Sequence, residues 1–275
     1  MILQAIRSAL FYLLFLGQTV ILAIIVGGHA AIVRRRTAFG WAISQYWGNA
    51  NLFLLRWLTS IRSDVGGIEN IPDGPCILAS KHMSDWDIFA ILPHSKRPAF
   101  VAKKELMDIP FFGWAAQTFD TIRIDRSRGR EAIPLMLEDA RGALSRGCRI
   151  IIFPEGTRKA PLAKPDYRYG IVKMYEALGV PVVPVALNSG LFWGRKSLIL
   201  WPGTATARFL PAIAPGLSGD AFHARLVADT EASTNALILE AYEAGLSRPI
   251  SPEFREKLEA LKGGNTSEPT LPTTS

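Results

Sequence analysis

The chain has 275 residues, enough for a sizeable buried core, and 49% of them are apolar, which excludes wholesale disorder. Lys and Arg outnumber Asp and Glu by 31 to 24, a formal charge of +7, yet the mean hydropathy is positive at +0.18. A basic chain this apolar points first to an anionic membrane surface and second to phosphate-bearing ligands, and away from nucleic acid. Two cysteines, Cys76 and Cys148, exclude a disulfide framework, and without a CxxC pair no cysteine zinc site is expected.

From Ser8 to Val33 no residue is charged. The densest part, residues 10–26, approaches the ~20 apolar residues of a spanning helix, although Gly17, Gln18 and Thr19 interrupt it. Arg7 precedes it, and Arg34, Arg35 and Arg36 follow, so the positive-inside rule places what comes next in the cytoplasm. A cleaved signal would carry its charge before the apolar core instead. Residues 39–58 hold Trp41, Tyr46, Trp47, Phe53 and Trp57, aromatics suited to the headgroup level. Residues 10–58 therefore read as two helices forming a membrane anchor, either spanning or lying in one leaflet. The alternative is that the second helix packs on the globular part.

Beyond residue 62 the pattern becomes an alternation of strands and helices. Apolar runs predict strands at 77–79, 99–102, 121–124, 149–153 and 182–187. Helices are expected from the Ser84-Asp85 cap to Ile91, over 129–146 with Gly147 behind it, and over 169–178 with Gly179 behind it. A short strand at 205–210 is expected at a sheet edge. A helix follows at 220–244, and a last one, capped by Ser251-Pro252, carries Phe254, Leu258 and Leu261 on one face. The fold class is α/β, a mostly parallel sheet flanked by helices, with an N-terminal hydrophobic helical membrane anchor. The expected divisions are 1–62 for the anchor, 63–262 for the α/β domain and 263–275, rich in Gly, Thr, Ser and Pro, for a disordered tail.

Two segments carry chemistry. Ser80-Lys81-His82-Met83-Ser84-Asp85-Trp86-Asp87 follows directly on a strand, placing a histidine at the strand's carboxyl end and a carboxylate just inside a helix. Histidine is a natural general base near neutral pH, and Asp87 on its second nitrogen fixes the tautomer. Asp85 competes by spacing but suits a cap. Phe153-Pro154-Glu155-Gly156-Thr157-Arg158 again follows a strand, and its turn offers backbone N–H groups, a hydroxyl, a carboxylate and a guanidinium able to hold phosphate in a bidentate fashion. Cys76 and Cys148 lie in apolar strands and read as core.

His82-x4-Asp87 followed by Phe-Pro-Glu-Gly-Thr-Arg resembles the glycerolipid acyltransferase superfamily, above all the bacterial 1-acylglycerol-3-phosphate acyltransferases. Residues 119–126, ending Ile-Asp-Arg126, resemble the block whose arginine lines a phosphate site. Residues 180–186 resemble the apolar, proline-marked fourth block, and residues 101–106 resemble the stretch carrying an active-site lysine, with Lys103 the better match. Two departures stand out. Lys81 occupies a place where asparagine is frequent, and the loop 159–167 is longer before Arg168-Tyr169-Gly170, where many members have a lysine.

The resemblance implies acyl transfer from acyl-CoA or acyl-carrier protein to a lysolipid hydroxyl, without a metal or other cofactor, at the cytoplasmic face of the bacterial inner membrane. It implies His82 as base, Asp87 as its orienting group and Lys103, or backbone N–H groups near it, at the oxyanion. Arg126, Gly156, Thr157 and Arg158 would hold the acceptor phosphate, and Glu155 would orient the arginines or bind a glycerol hydroxyl. The expected partners are lysophosphatidic acid, the acyl donor and an anionic membrane surface, with no nucleic acid. Glycerol-3-phosphate or lyso-ornithine lipid as acceptor, and a non-catalytic membrane scaffold, are the alternatives.

Overall fold

Period-2 alternation in the apolar runs decides the architecture. In strand β2 (Ile77–Ser80), Ile77 and Ala79 face one core while Leu78 faces the other. Strand β5 (Arg149–Ile152) repeats the pattern, with Ile150 and Ile152 against Ile151, and β6 (Val182–Leu187) turns Val183, Val185 and Leu187 to the side of Leu78. Strands apolar on both sides belong in a sheet covered on both faces. The computed structural model describes residues 1–33, 38–110 and 112–264. Its seven-stranded sheet has the order β1-β7-β6-β2-β5-β3-β4. Here β1 is Ile61–Gly66, β3 is Pro98–Lys103, β4 is Ile122–Ile124 and β7 is Gly203–Phe209. All pairings are parallel except β6 with β7.

One core layer receives α1 (Ile2–Val33), α3 (Trp86–Ile91) and α8 (Pro252–Gly264), with Phe11, Trp86, Phe89 and Leu258 buried. The other is covered by α5 (Ala132–Ser145), α6 (Gly170–Leu178) and the first turns of α7 (Gly219–Glu243), through Met136, Ile171, Val172 and Phe222. Helices α2 (Ala38–Leu54) and α4 (Phe112–Thr118) complete the chain, α2 running into a π-helical turn at Leu55–Thr59.

The expected α/β class and mostly parallel sheet are present. Strand β7 is not the edge: β1 lies outside it, an element whose Arg-Ser-Asp centre lacks an apolar run. Helix α5 starts at Ala132, three residues later than its periodicity suggests. Gly129, at φ 53° and ψ −123°, cannot continue a helix, so residues 126–131 form separate 3-10 turns. The last helix runs through Gly264, and the rest of the expected tail lies outside the described residues.

Helix α1, 32 residues and about 48 Å long, is the one described helix long and apolar enough to cross a membrane. Its first turns are docked on the domain by one stripe. Gln4 Nε2 donates to the Thr59 carbonyl at 3.1 Å, the Leu200 N–H donates to Ser8 Oγ at 2.9 Å, and Tyr12 Oη donates to the Ser197 carbonyl at 2.9 Å. Leu3, Ile6, Leu13, Val20 and Ile21 remain exposed. Helix α2 does pack on the globular part: Trp47 meets Phe89 edge-on at 4.9 Å, and Gly48 lies against Leu92. The Arg34–Arg36 run lies outside the described residues.

Candidate active site

Four parallel strands in spatial order, β2, β5, β3 and β4, end in His82, Phe153–Arg158, Lys103 and Arg126 respectively. Segments far apart in sequence therefore meet along one carboxyl edge of the sheet, where open α/β sheets place their ligands.

His82 Nδ1 lies 2.9 Å from Asp87 Oδ2. The same oxygen accepts the N–H groups of Met83 at 2.7 Å and Ser84 at 2.9 Å. That oxygen is an acceptor throughout, so Nδ1 carries the proton and Nε2 is left with its lone pair. Asp87 is fully buried, while the His82 side chain keeps 15% of its surface exposed. The imidazole stacks on Phe153 with centroids 4.0 Å apart, and the His82 carbonyl accepts the Lys159 N–H at 2.8 Å. The ring is thus held on its face, at Nδ1 and through its backbone, which leaves Nε2 as the ring nitrogen available for proton transfer.

Arg158 Nη1 donates to Asp85 Oδ2 at 2.7 Å, which ties the two motif loops together across 73 positions. Both side chains are about one-third exposed, so substrate can reach them. Burial raises the Asp85 carboxyl, and Arg158 and His82 pull it back. Asp85 occupies the N-cap position without capping: Ser84 Oγ accepts the Trp86 N–H at 3.1 Å instead.

Glu155 is enclosed, 1% exposed. Its Oε1 accepts from Lys81 Nζ at 3.0 Å and its Oε2 from the His82 N–H at 3.4 Å. Lys81 is itself buried and donates also to Glu231 Oε1 at 2.7 Å, an oxygen that accepts from Tyr167 Oη at 2.9 Å. Desolvation pushes the Glu155 carboxyl up, and the Lys81 ammonium opposes this. Both Glu155 oxygens are thus taken by Lys81 and the His82 N–H, where the resemblance implies an arginine or a glycerol hydroxyl. Lys81 shows in the sequence only as a departure from the family pattern, and Glu231 and Tyr167 carry no local signal, because the contacts among these groups span 74, 150 and 64 positions.

Gly156 turns the loop at φ 67°, its N–H donating to the Phe153 carbonyl at 2.8 Å, and Thr157 follows half-buried beside Arg158. Lys103 is exposed at the end of β3, two strands and about 10 Å from the His82 position. Its neighbour Lys104 pairs with Asp125 at 3.4 Å. The Arg126 side chain lies outside the described ones. The structure thus unites His82, Asp87, Glu155 and Arg158, adds Asp85, and leaves Lys103 apart from the dyad.

A family model described as Acyltransferase matches residues 62–188, the stretch that supplies all of these groups except Glu231. The chain is 32% identical to the 1-acyl-sn-glycerol-3-phosphate acyltransferase of Pseudomonas aeruginosa over 86% of this chain and 90% of that one. The chain belongs to the acyltransferase family. It is also 29% identical to human 1-acyl-sn-glycerol-3-phosphate acyltransferase alpha, over 67% of this chain and 69% of the relative. The crystal structure of the 1-acyl-sn-glycerophosphate (LPA) acyltransferase PlsC from Thermotoga maritima shares the fold, with a TM-score of 0.67 at 24% identity, covering 85% of this chain and 97% of that one.

In this acyltransferase the two thiols are core groups. Burial pushes Cys76 up to about 11 and, helped by Asp120, Cys148 up to about 12. Neither is a thiolate near neutral pH. Native protein at pH 7.5 is expected to resist iodoacetamide, and Cys76→Ala with Cys148→Ala to keep wild-type kcat; mass spectrometry of the alkylated protein checks the first outcome. A covalent adduct on folded protein would contradict it.

Proposed function

We propose that this acyltransferase moves a fatty acyl group from acyl-CoA or acyl-carrier protein to the sn-2 hydroxyl of 1-acyl-sn-glycerol-3-phosphate, giving phosphatidic acid for phospholipid biosynthesis. The observation that carries the reading is the His82–Asp87 dyad, bonded through Nδ1, on the same turn as Asp85, which accepts from the Arg158 guanidinium. His82 Nε2 takes the proton of the acceptor hydroxyl as its oxygen attacks the thioester carbonyl. The tetrahedral adduct collapses, the C–S bond breaks, and the imidazolium returns the proton to the leaving thiolate. Asp87 offsets the transient charge on the ring. Arg158 turns from Asp85 to the acceptor phosphate, joined by Thr157, the Gly156 turn and Arg126. Lys103 adds positive charge for a substrate phosphate from the end of β3. No step is assigned to a metal or cofactor.

The relatives named 1-acyl-sn-glycerol-3-phosphate acyltransferases support this acceptor. Helix α1, with its uncharged stretch from Ser8 to Val33, supports an anchor in the inner membrane, and the Arg34–Arg36 run supports a cytoplasmic catalytic domain on an anionic surface.

The test is an acceptor panel with product detection by mass spectrometry. 1-Acyl-sn-glycerol-3-phosphate should be acylated, and monoacylglycerol, glycerol-3-phosphate and lyso-ornithine lipid should be poor acceptors. Arg158→Ala is expected to raise the KM for the phosphate-bearing lysolipid about 10–100-fold, the worth of a lost charged hydrogen bond. Equal use of lyso-ornithine lipid, with Arg158→Ala neutral, would remove the phosphate reading.

A further inference from the structure

Asp87 has a second oxygen, to which the catalytic motif itself supplies only one long contact. Oδ1 accepts from Ser84 Oγ at a long 3.3 Å and, much more closely, from Ser189 Oγ. Ser189 lies two residues beyond β6, the neighbour of β2 on the side away from the Arg158 loop, and it is fully buried.

The turn that carries Ser189 is fixed from several directions. Its carbonyl accepts the N–H groups of Phe192 at 3.0 Å and Trp193 at 2.9 Å. Before it, Asn188 Oδ1 accepts the Thr206 N–H of β7 at 2.8 Å, and Asn188 Nδ2 donates to the Leu237 carbonyl of α7 at 3.2 Å. After it, Gly190 sits so close to the histidine loop that an added Cβ would stand 3.0 Å from Met83 Cβ and 3.0 Å from Pro161 Cγ. Arg248, in the link between α7 and α8, donates from Nη1 to the carbonyls of Gly190 at 3.1 Å and Leu191 at 3.3 Å.

We propose that Ser189 is a positioning residue of the dyad, its hydroxyl fixing the rotation of the Asp87 carboxylate, and that Arg248 acts through it by holding the turn. The last torsion of an aspartate is broad, so the carboxylate stays in one orientation only when both oxygens are held. Oδ2 is held by two amides and the imidazole. Without Ser189, Oδ1 keeps only the long Ser84 contact, the carboxylate swings, and the imidazole loses its fixed tautomer for part of the time. Ser189 and Arg248 both lie outside residues 62–188, so the match to the family model does not reach them. The C-terminal segment is thereby wired into the catalytic geometry and does not merely cover the sheet.

The kinetic arm of the test rests on the acyl-transfer reading; the spectroscopic arm does not. Ser189→Ala, Arg248→Ala and the double variant are compared with wild type as full chains in detergent. In the kinetic arm kcat and KM are measured with 1-acyl-sn-glycerol-3-phosphate and acyl-CoA. In the spectroscopic arm the downfield Nδ1 proton of His82, identified by its loss in His82→Ala, is followed by NMR without substrate. Ser189→Ala should lower kcat about 10-fold with KM within about twofold, and its Nδ1 proton should exchange faster with water. Arg248→Ala should lower kcat about threefold, with no further loss in the double variant. Unchanged kcat and Nδ1 exchange in Ser189→Ala, or additive losses in the double variant, would overturn the proposal. If Ser189→Ala does not fold, Arg248→Ala alone decides: faster Nδ1 exchange supports the proposal, and wild-type exchange overturns it. A wild type inactive on this acceptor would refute the substrate reading, and the Nδ1 comparison would still decide the role of Ser189.

Discussion

His82→Ala and Asp87→Asn each lower kcat by about 10²–10⁴-fold, the range of general-base catalysis, with KM for both substrates nearly unchanged. The aspartate variant is the more informative because its fold should survive. Asp87 Oδ2 receives three donors, so an asparagine must present its carbonyl there. Its amide then faces Ser84 Oγ and Ser189 Oγ, hydroxyls that can rotate to accept. The Nδ1–H bond is retained and the tautomer stays correct, and only the negative charge that stabilises the imidazolium is gone. Steady-state kinetics beside a thermal melt checks this. A variant with wild-type melting and wild-type kcat would remove Asp87 from the mechanism.

Lys81→Met is expected to destabilise the protein by about 3–5 kcal/mol, on the order of a 10 °C fall in Tm. Lys81 is 2% exposed and stands between the carboxylates of Glu155 and Glu231, and a methionine would leave those two facing each other without a cation. The magnitude follows from stranding buried charge, not from the worth of the ion pair itself. Adding Glu231→Gln removes one of the stranded charges and should recover part of the loss, because Gln still accepts from Tyr167 through its carbonyl. Chemical unfolding of the two variants checks both statements. A loss below about 1 kcal/mol for Lys81→Met would mean that one carboxylate is protonated or reaches water.

The parts legible in the sequence are those whose signal is local. Residues 77–79, 149–153 and 182–187 announce buried strands by unbroken apolar runs, and Gly179 and Gly147 announce helix ends because their positive φ suits glycine. The dyad is legible because His82 and Asp87 belong to one strand-to-helix turn. What stayed hidden depends on the crossing of distant segments. Asp85 has the spacing of a cap, but its partner Arg158 lies on the loop after β5 and is brought near by the β2–β5 pairing. Glu155 looks like a substrate ligand among polar residues, but Lys81, visible as a departure from the family pattern, claims it from the position just after β2. Glu231 on α7 and Ser189 after β6 carry no local signal, since each is one polar residue in an otherwise ordinary element. Strand β1 carries no such signal because an edge strand needs no continuous apolar run.

The most direct test of the central claim follows free thiol and lipid product together, using the full chain in detergent with acyl-CoA and 1-acyl-sn-glycerol-3-phosphate. The account predicts thiol release only when both substrates are present, one phosphatidic acid formed for each thiol, and neither in His82→Ala. Thiol release unchanged by His82→Ala, or a stoichiometric burst of thiol without acceptor, would contradict direct transfer assisted by His82.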